Sequence, residues 1–239
     1  MPLATRTLPA AGQQAARDLE RWERAGIQMI CVLDAEYPSN LRMVHQHPPV
    51  LFMRGTADER DSTSVAVVGT RQPTPRGIDQ ARQLATGLAA HGIPVISGLA
   101  AGIDTAALTA ALAAGGRAVA VIGTGIDRVY PPQNAGLQQE IAANGLLISQ
   151  FLPGSPPTKA SFPMRNAVMS GYALATVVVE AAERSGSRML RRGCRAGEHP
   201  RQQDVRRLGD IRDGSGNGGP GCQALGAEHR AGCAGHRDR

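Results

Sequence analysis

Three short clusters in this chain combine glycine, a hydroxyl and a charge: Gly69-Thr70-Arg71, Ser97-Gly98 at the head of SGLAAGID, and Gly123-Thr124-Gly125 at the head of GTGID. Glycine lets the backbone come close to a ligand, and Thr70, Ser97 and Thr124 can each donate a hydroxyl hydrogen bond. Together these are the chemistry of an anion or phosphate grip. The Arg71 guanidinium adds a planar fork that matches two phosphate oxygens at once. Arg165 and Asn166 in FPMRN, with Lys159 six residues earlier, form a second small polar and cationic group. Plainer roles compete: the glycines also suit tight strand-to-helix turns, and Lys159 also suits a solvated surface. Asp104 and Asp127 read as helix N-caps rather than catalysts.

No catalytic constellation accompanies these clusters. His91 closes a helix, His45 and His47 fall in a Pro-rich stretch, and Cys31 reads as a lone buried strand residue, so no Ser/His/Asp, Cys/His or metal-ligand group converges. The fingerprint G-x-G-x-x-G is absent, which disfavours NAD. The expectation is a binding site without a cofactor or a metal.

What positions the clusters is an alternation of short apolar strands and helices. Strands are expected at 65–69, 94–98, 117–123, 146–150 and 176–181, with helices at about 76–91, 104–114, 134–143 and 162–173. Strands that are apolar on both faces demand a parallel sheet covered by helices on both sides, hence a doubly wound, Rossmann-like α/β domain. Such sheets bind ligands at the carboxyl ends of their strands, which is where the clusters lie. Upstream, 13–26 reads as a helix and 27–34 as a short strand. The stretch from Tyr37 to Gly55 contains three prolines and reads as an extended connector, with a boundary near residue 60. The expected organisation is an N-terminal element over 1–60, a Rossmann-like domain over 61–187 and a tail over 188–239.

The 239 residues are 42% apolar and 3% aromatic, with no apolar run long enough to span a membrane and no signal-peptide pattern, so a cytoplasmic protein with no membrane partner is expected. The net charge of +6 is unevenly placed: residues 188–239 carry 11 Arg against 6 acids, whereas 1–187 are nearly neutral. The tail has 11 Gly and only 6 Val, Ile, Leu or Met in 52 residues, too little apolar surface to offset ordering, and is expected to be disordered. Its patternless Gly/Arg/Ala text is what a frame slip near Ser187 in a GC-rich gene would give. Cys222, His229, Cys233 and His236 fit no familiar zinc spacing.

SGLAAGIDTAAL, AVIGTGIDRVYPPQN, FPMRNAVMSG and VVVEAAERSGS, together with DAEYPSNLRMVHQHPPVLFMRG and VAVVGTR, resemble the signature of the DNA-processing protein A family (DprA, also called Smf) over about residues 34–187. The resemblance implies a Rossmann-like domain that binds single-stranded DNA at Arg71, Ser97, Gly98, Lys159, Arg165 and Asn166. It also implies delivery of that DNA to the RecA recombinase in natural transformation, and a homodimer. Few aromatics suggest phosphate contacts rather than stacking platforms. The family pattern has Arg where Ala101 stands and His where Leu108 stands, so a cation and a polar group of the pocket are expected to be missing. The family's continuation after SGS is replaced here by the tail, so dimerisation and RecA loading are expected to be impaired. Two rival readings are a phosphoribohydrolase-like enzyme, whose P-G-G-x-G-T-x-x-E signature is absent, and an inactive product of a decayed gene.

Overall fold

The computed structural model describes residues 10–45 and 47–181. The tail from 188, its cysteines and histidines, and Ser185 to Ser187 lie outside the described residues. The chain runs α1 (Ala10–Arg24), β1 (Gln28–Cys31), α2 (Ser39–Arg42), β2 (Val50–Gly55), β3 (Val65–Val68), α3 (Pro75–Ala90), β4 (Val95–Ser97) and α4 (Ile103–Ala113), followed by β5 (Ala118–Val121), α5 (Ala135–Asn144), β6 (Leu146–Ser149), α6 (Ser161–Tyr172) and β7 (Ala175–Val178).

The strands form one seven-stranded sheet in the order β1-β2-β6-β5-β4-β3-β7. From β6 to β7 every pairing is parallel, as the apolar strand pattern requires. The Pro-rich stretch is not simply a connector: α2 forms after Pro38, and β2 enters the sheet antiparallel between β1 and β6, with Phe52 opposite Ser149. Two strands from residues 1–60 therefore belong to the same sheet as the rest.

Side chains alternate across the sheet. Val67 and Val95 pack with Ala81, Ala85, Ile103 and Ala107 of α3 and α4, and Ala118, Ala120 and Leu147 pack with Leu108 of α4 and Ile141 of α5. The opposite face sends Ala66, Ile96, Val119, Val121 and Ile148 against Leu41 of α2 and Val168, Met169 and Tyr172 of α6. The helices thus cover both faces, and a doubly wound α/β architecture results. No helix among the described residues is long and apolar enough to cross a membrane.

At the amino edge of the parallel strands, a turn at Glu59–Thr63 supplies Asp61, which is 3% exposed. Its carboxylate accepts from Arg117 Nε at 2.5 Å and Nη2 at 2.7 Å, and from the Tyr172 hydroxyl at 3.2 Å. This network ties the entries of β3, β5 and β7 together at the end remote from the clusters.

Candidate nucleic-acid interface at the carboxyl edge

A small pocket of about 110 Å³ opens where β3, β4 and β5 end, walled by Arg71, Gly98, Ala100, Ala101, Gly123, Tyr130, Pro131, Phe162 and Arg165. Arg165 comes from the second turn of α6, and its guanidinium lies against Gly98, where any β-carbon would collide with it. Arg165 is 5% exposed; Nη1 donates to the Val121 carbonyl at 3.0 Å, and Nε finds no partner among the described residues. Burial pulls its pKa down, the Asp104 carboxylate pushes it back up, and Arg71 pulls it down again. The guanidinium nevertheless stays cationic at any physiological pH, so a buried positive charge stands in the pocket wall.

Arg71 follows β3 on an exposed loop, and its guanidinium stands 5.0 Å from the centre of the Phe162 ring. Gly123 leaves room for that ring: a β-carbon there would sit 3.1 Å from Phe162 Cδ1. Tyr130 completes the wall, its ring 5.7 Å from that of Phe162 at an interplanar angle of 40°. Two aromatic rings therefore flank the cations, which the 3% aromatic content did not lead one to expect.

The loop between β4 and α4 is held by residues around it. Asp104 does not cap α4; it lies in the helix's first turn, 5% exposed, and one carboxylate oxygen accepts from the amides of Gly98 at 3.2 Å and Ala100 at 3.3 Å. Burial raises its pKa, while Arg165 and the loop's hydrogen bonds lower it. Leu99 takes φ +56°, a conformation costly for a branched side chain, and its carbonyl accepts from Asn134 Nδ2 at 2.9 Å. Asn134 also donates to Thr105 Oγ1 at 2.8 Å, so the last residue of YPPQN braces the strained loop from behind.

The other clustered residues serve the frame. Ser97 is fully buried and its hydroxyl donates to the Val67 carbonyl at 2.7 Å. Thr124 is 2% exposed, its carbonyl accepts from Ser149 Oγ at 2.6 Å, and Gly125 packs against Leu152 and Gly154. A β-carbon at Gly69 would strike Ile103, and Thr70 accepts at Oγ1 from the Gln72 amide at 3.2 Å. Lys159 is exposed and Asn166 half-buried, both outside the pocket wall. The structure thus brings Arg71, Gly98, Gly123 and Arg165 together, and adds Tyr130 and Phe162.

Two further expectations change. Asp127 does not cap a helix: it accepts from the Gly154 amide at 2.6 Å and clamps two loops. Leu108 is buried in the apolar core, so a polar group missing there is no loss to the pocket, whereas Ala101 is exposed in the wall. Glu180 accepts from the Thr74 amide at 3.0 Å and hydroxyl at 3.0 Å, so its carboxylate occupies the N-terminus of α3, where an anion would otherwise sit.

Residues 28–196 match the family described as DNA recombination-mediator protein A. The chain is 40% identical to Protein Smf of Synechocystis over 173 residues, which covers 71% of this chain and 44% of that protein. Its structure resembles that of DNA processing protein A from Streptococcus pneumoniae, with a TM-score of 0.71 and 36% identity over 77% of this chain and 63% of the other. DNA processing protein A from Helicobacter pylori, described for its single-stranded DNA binding mode, gives a TM-score of 0.64 and 29% identity over 70% and 75% of the respective chains. The chain spans about half the length of the curated relatives it matches.

Proposed function

Because the chain belongs to the DNA recombination-mediator protein A family, we propose that it binds single-stranded DNA at the carboxyl edge of its sheet, without catalysis, in DNA processing. The observation that carries this reading is the convergence of Arg71 and Arg165 on one pocket beside Gly98 and Gly123. Arg165 is buried in the pocket wall and held by its bond to the Val121 carbonyl, so a phosphate entering the pocket meets a positive charge already in place. Arg71 is exposed and free to close on the same phosphate from outside. The single-stranded DNA binding of the Helicobacter pylori relative supports the ligand class. The reading extends to hand-over of the strand to RecA in the cytoplasm, during natural transformation; the family's description as a recombination mediator supports the recombination role alone.

Fluorescence anisotropy of a labelled oligothymidylate over a salt series tests the reading on the full chain. Arg71→Ala is expected to weaken binding at low salt by tenfold or more and to lower the salt slope by about 0.7, the contribution of one phosphate contact on a single strand. Binding of undiminished strength and slope in Arg71→Ala would sink the assignment of this pocket.

A further inference from the structure

We propose that the arginines between 188 and 195 form a cationic arm that grips the part of a single strand lying outside the carboxyl-edge pocket, so that pocket and arm hold one strand together. The inference rests on the pocket reading above. A cavity of about 110 Å³ takes little more than one phosphate group. Residues 1–187 are nearly neutral in sum, so a longer strand meets no excess of positive charge on the body of the protein. The excess lies downstream: RMLRRGCR, from Arg188 to Arg195, carries four arginines and no acid in eight residues.

The fold fixes where that segment departs. β7 lies at the outer edge of the sheet, parallel to β3, so the chain leaves the sheet at the same edge as the pocket. The Val179 amide donates to the Val68 carbonyl at 3.0 Å, and the Glu180 carbonyl accepts from the Thr70 amide at 2.7 Å. Thr70 immediately precedes Arg71 of the pocket wall. The Glu180 carboxylate is held in turn by the Thr74 amide and hydroxyl, both at 3.0 Å. The departure point is therefore pinned beside the pocket, at the end of the sheet opposite the Asp61 network. At no more than about 3.6 Å per residue, Arg188 stays within roughly 25 Å of Ala181. Charges tethered at that range act at about millimolar effective concentration on a strand already captured by the pocket. Each arginine that meets a phosphate releases counterions whatever the base, so the arm adds affinity and salt sensitivity without sequence preference.

The test uses the full chain with Arg188→Gln, Arg191→Gln, Arg192→Gln and Arg195→Gln combined, and a second variant with Lys at the same four positions. A long labelled oligothymidylate is titrated over a salt series. The Gln variant is expected to bind about tenfold more weakly at low salt and to lose about 3 from the salt slope, four contacts at roughly 0.7 each. The Lys variant is expected to keep the parent's slope. The oligothymidylate should also shield Arg188 to Arg195 of the parent from trypsin, and shield them less in Arg71→Ala, because the arm closes on a strand the pocket has captured. A parental slope in the Gln variant overturns the proposal and leaves the pocket reading standing. Equal losses in the Gln and Lys variants overturn it as well, since charge alone survives in Lys, and so does shielding that ignores Arg71→Ala. If Arg71→Ala binds as the parent does while the Gln variant fails to bind, the pocket reading fails, and the shared strand fails with it.

Discussion

At Gly98 the pocket's geometry reduces to a missing methyl group. The Arg165 guanidinium occupies the space that any side chain at 98 would need, and it is anchored there by its bond to the Val121 carbonyl at 3.0 Å. Gly98→Ala must therefore displace a buried cation. The expected result is a loss of about 1–3 kcal/mol of stability, typical of overpacking, read by chemical denaturation, together with weaker oligonucleotide binding. Gly98 and Arg165 were both visible in the sequence as strand-end and helix-start residues, but their contact was not, since 67 positions separate them. Ser97 and Thr124 misled for a related reason. Whether a hydroxyl can reach a ligand depends on which carbonyl lies across the strand, and here Ser97 is spent on Val67 while Thr124 is buried.

At the scale of elements, the alternation of apolar strands and amphipathic helices after residue 60 was readable nearly throughout, because both faces of a parallel sheet must be apolar. The strand β2 was not. Pro48 and Pro49 precede it directly, and its partner β6 lies almost a hundred residues away. Prolines that end a connector and prolines that introduce a strand look the same without knowledge of that partner. The loop from β4 to α4 is a second case: nothing local in SGLAAGID announces that Leu99 takes φ +56° or that Asn134 restrains it. Asn134→Ala leaves the buried Leu99 carbonyl without its donor, at an expected cost of about 1–3 kcal/mol. Faster amide exchange over residues 98–102 than in the parent, measured by mass spectrometry, would localise the effect. Unchanged exchange there would mean that the loop is held without Asn134, by Asp104 and the bonds from Thr105 to the Ala100 carbonyl.

Across the whole molecule, the two edges of the sheet divide the work. The amino edge holds the Asp61–Arg117–Tyr172 network, the carboxyl edge the pocket. Asp61→Ala strands a guanidinium whose side chain is only 11% exposed and is expected to cost roughly 3–5 kcal/mol in denaturation. Oligonucleotide affinity of the folded fraction should not change, and the effects of Asp61→Ala and Arg71→Ala should add when combined. Alkali should also act on the body of the protein. Burial pushes the Tyr37 phenol up to about 12 and raises that of Tyr172 further, each with its hydroxyl donating a hydrogen bond, to the Pro48 carbonyl and to Asp61. The folded chain then holds these protons more tightly than the unfolded one. Stability from Tyr37 is complete below pH 10 and is lost as pH rises through about 12. Denaturation midpoints should fall across that window, and Tyr37→Phe should flatten the fall. The insertion of β2 between β1 and β6 also sets a timetable. A ribosome adding about 5–20 residues per second releases β2 several seconds before the strand that must flank it. Through that interval the hairpin of β1 and β2 has an unpaired inner edge, and Phe52 and Leu51 have no finished core to enter. Cellular factors that shield nascent apolar strands would find their target here, in the first quarter of the chain, long before the carboxyl-edge pocket exists.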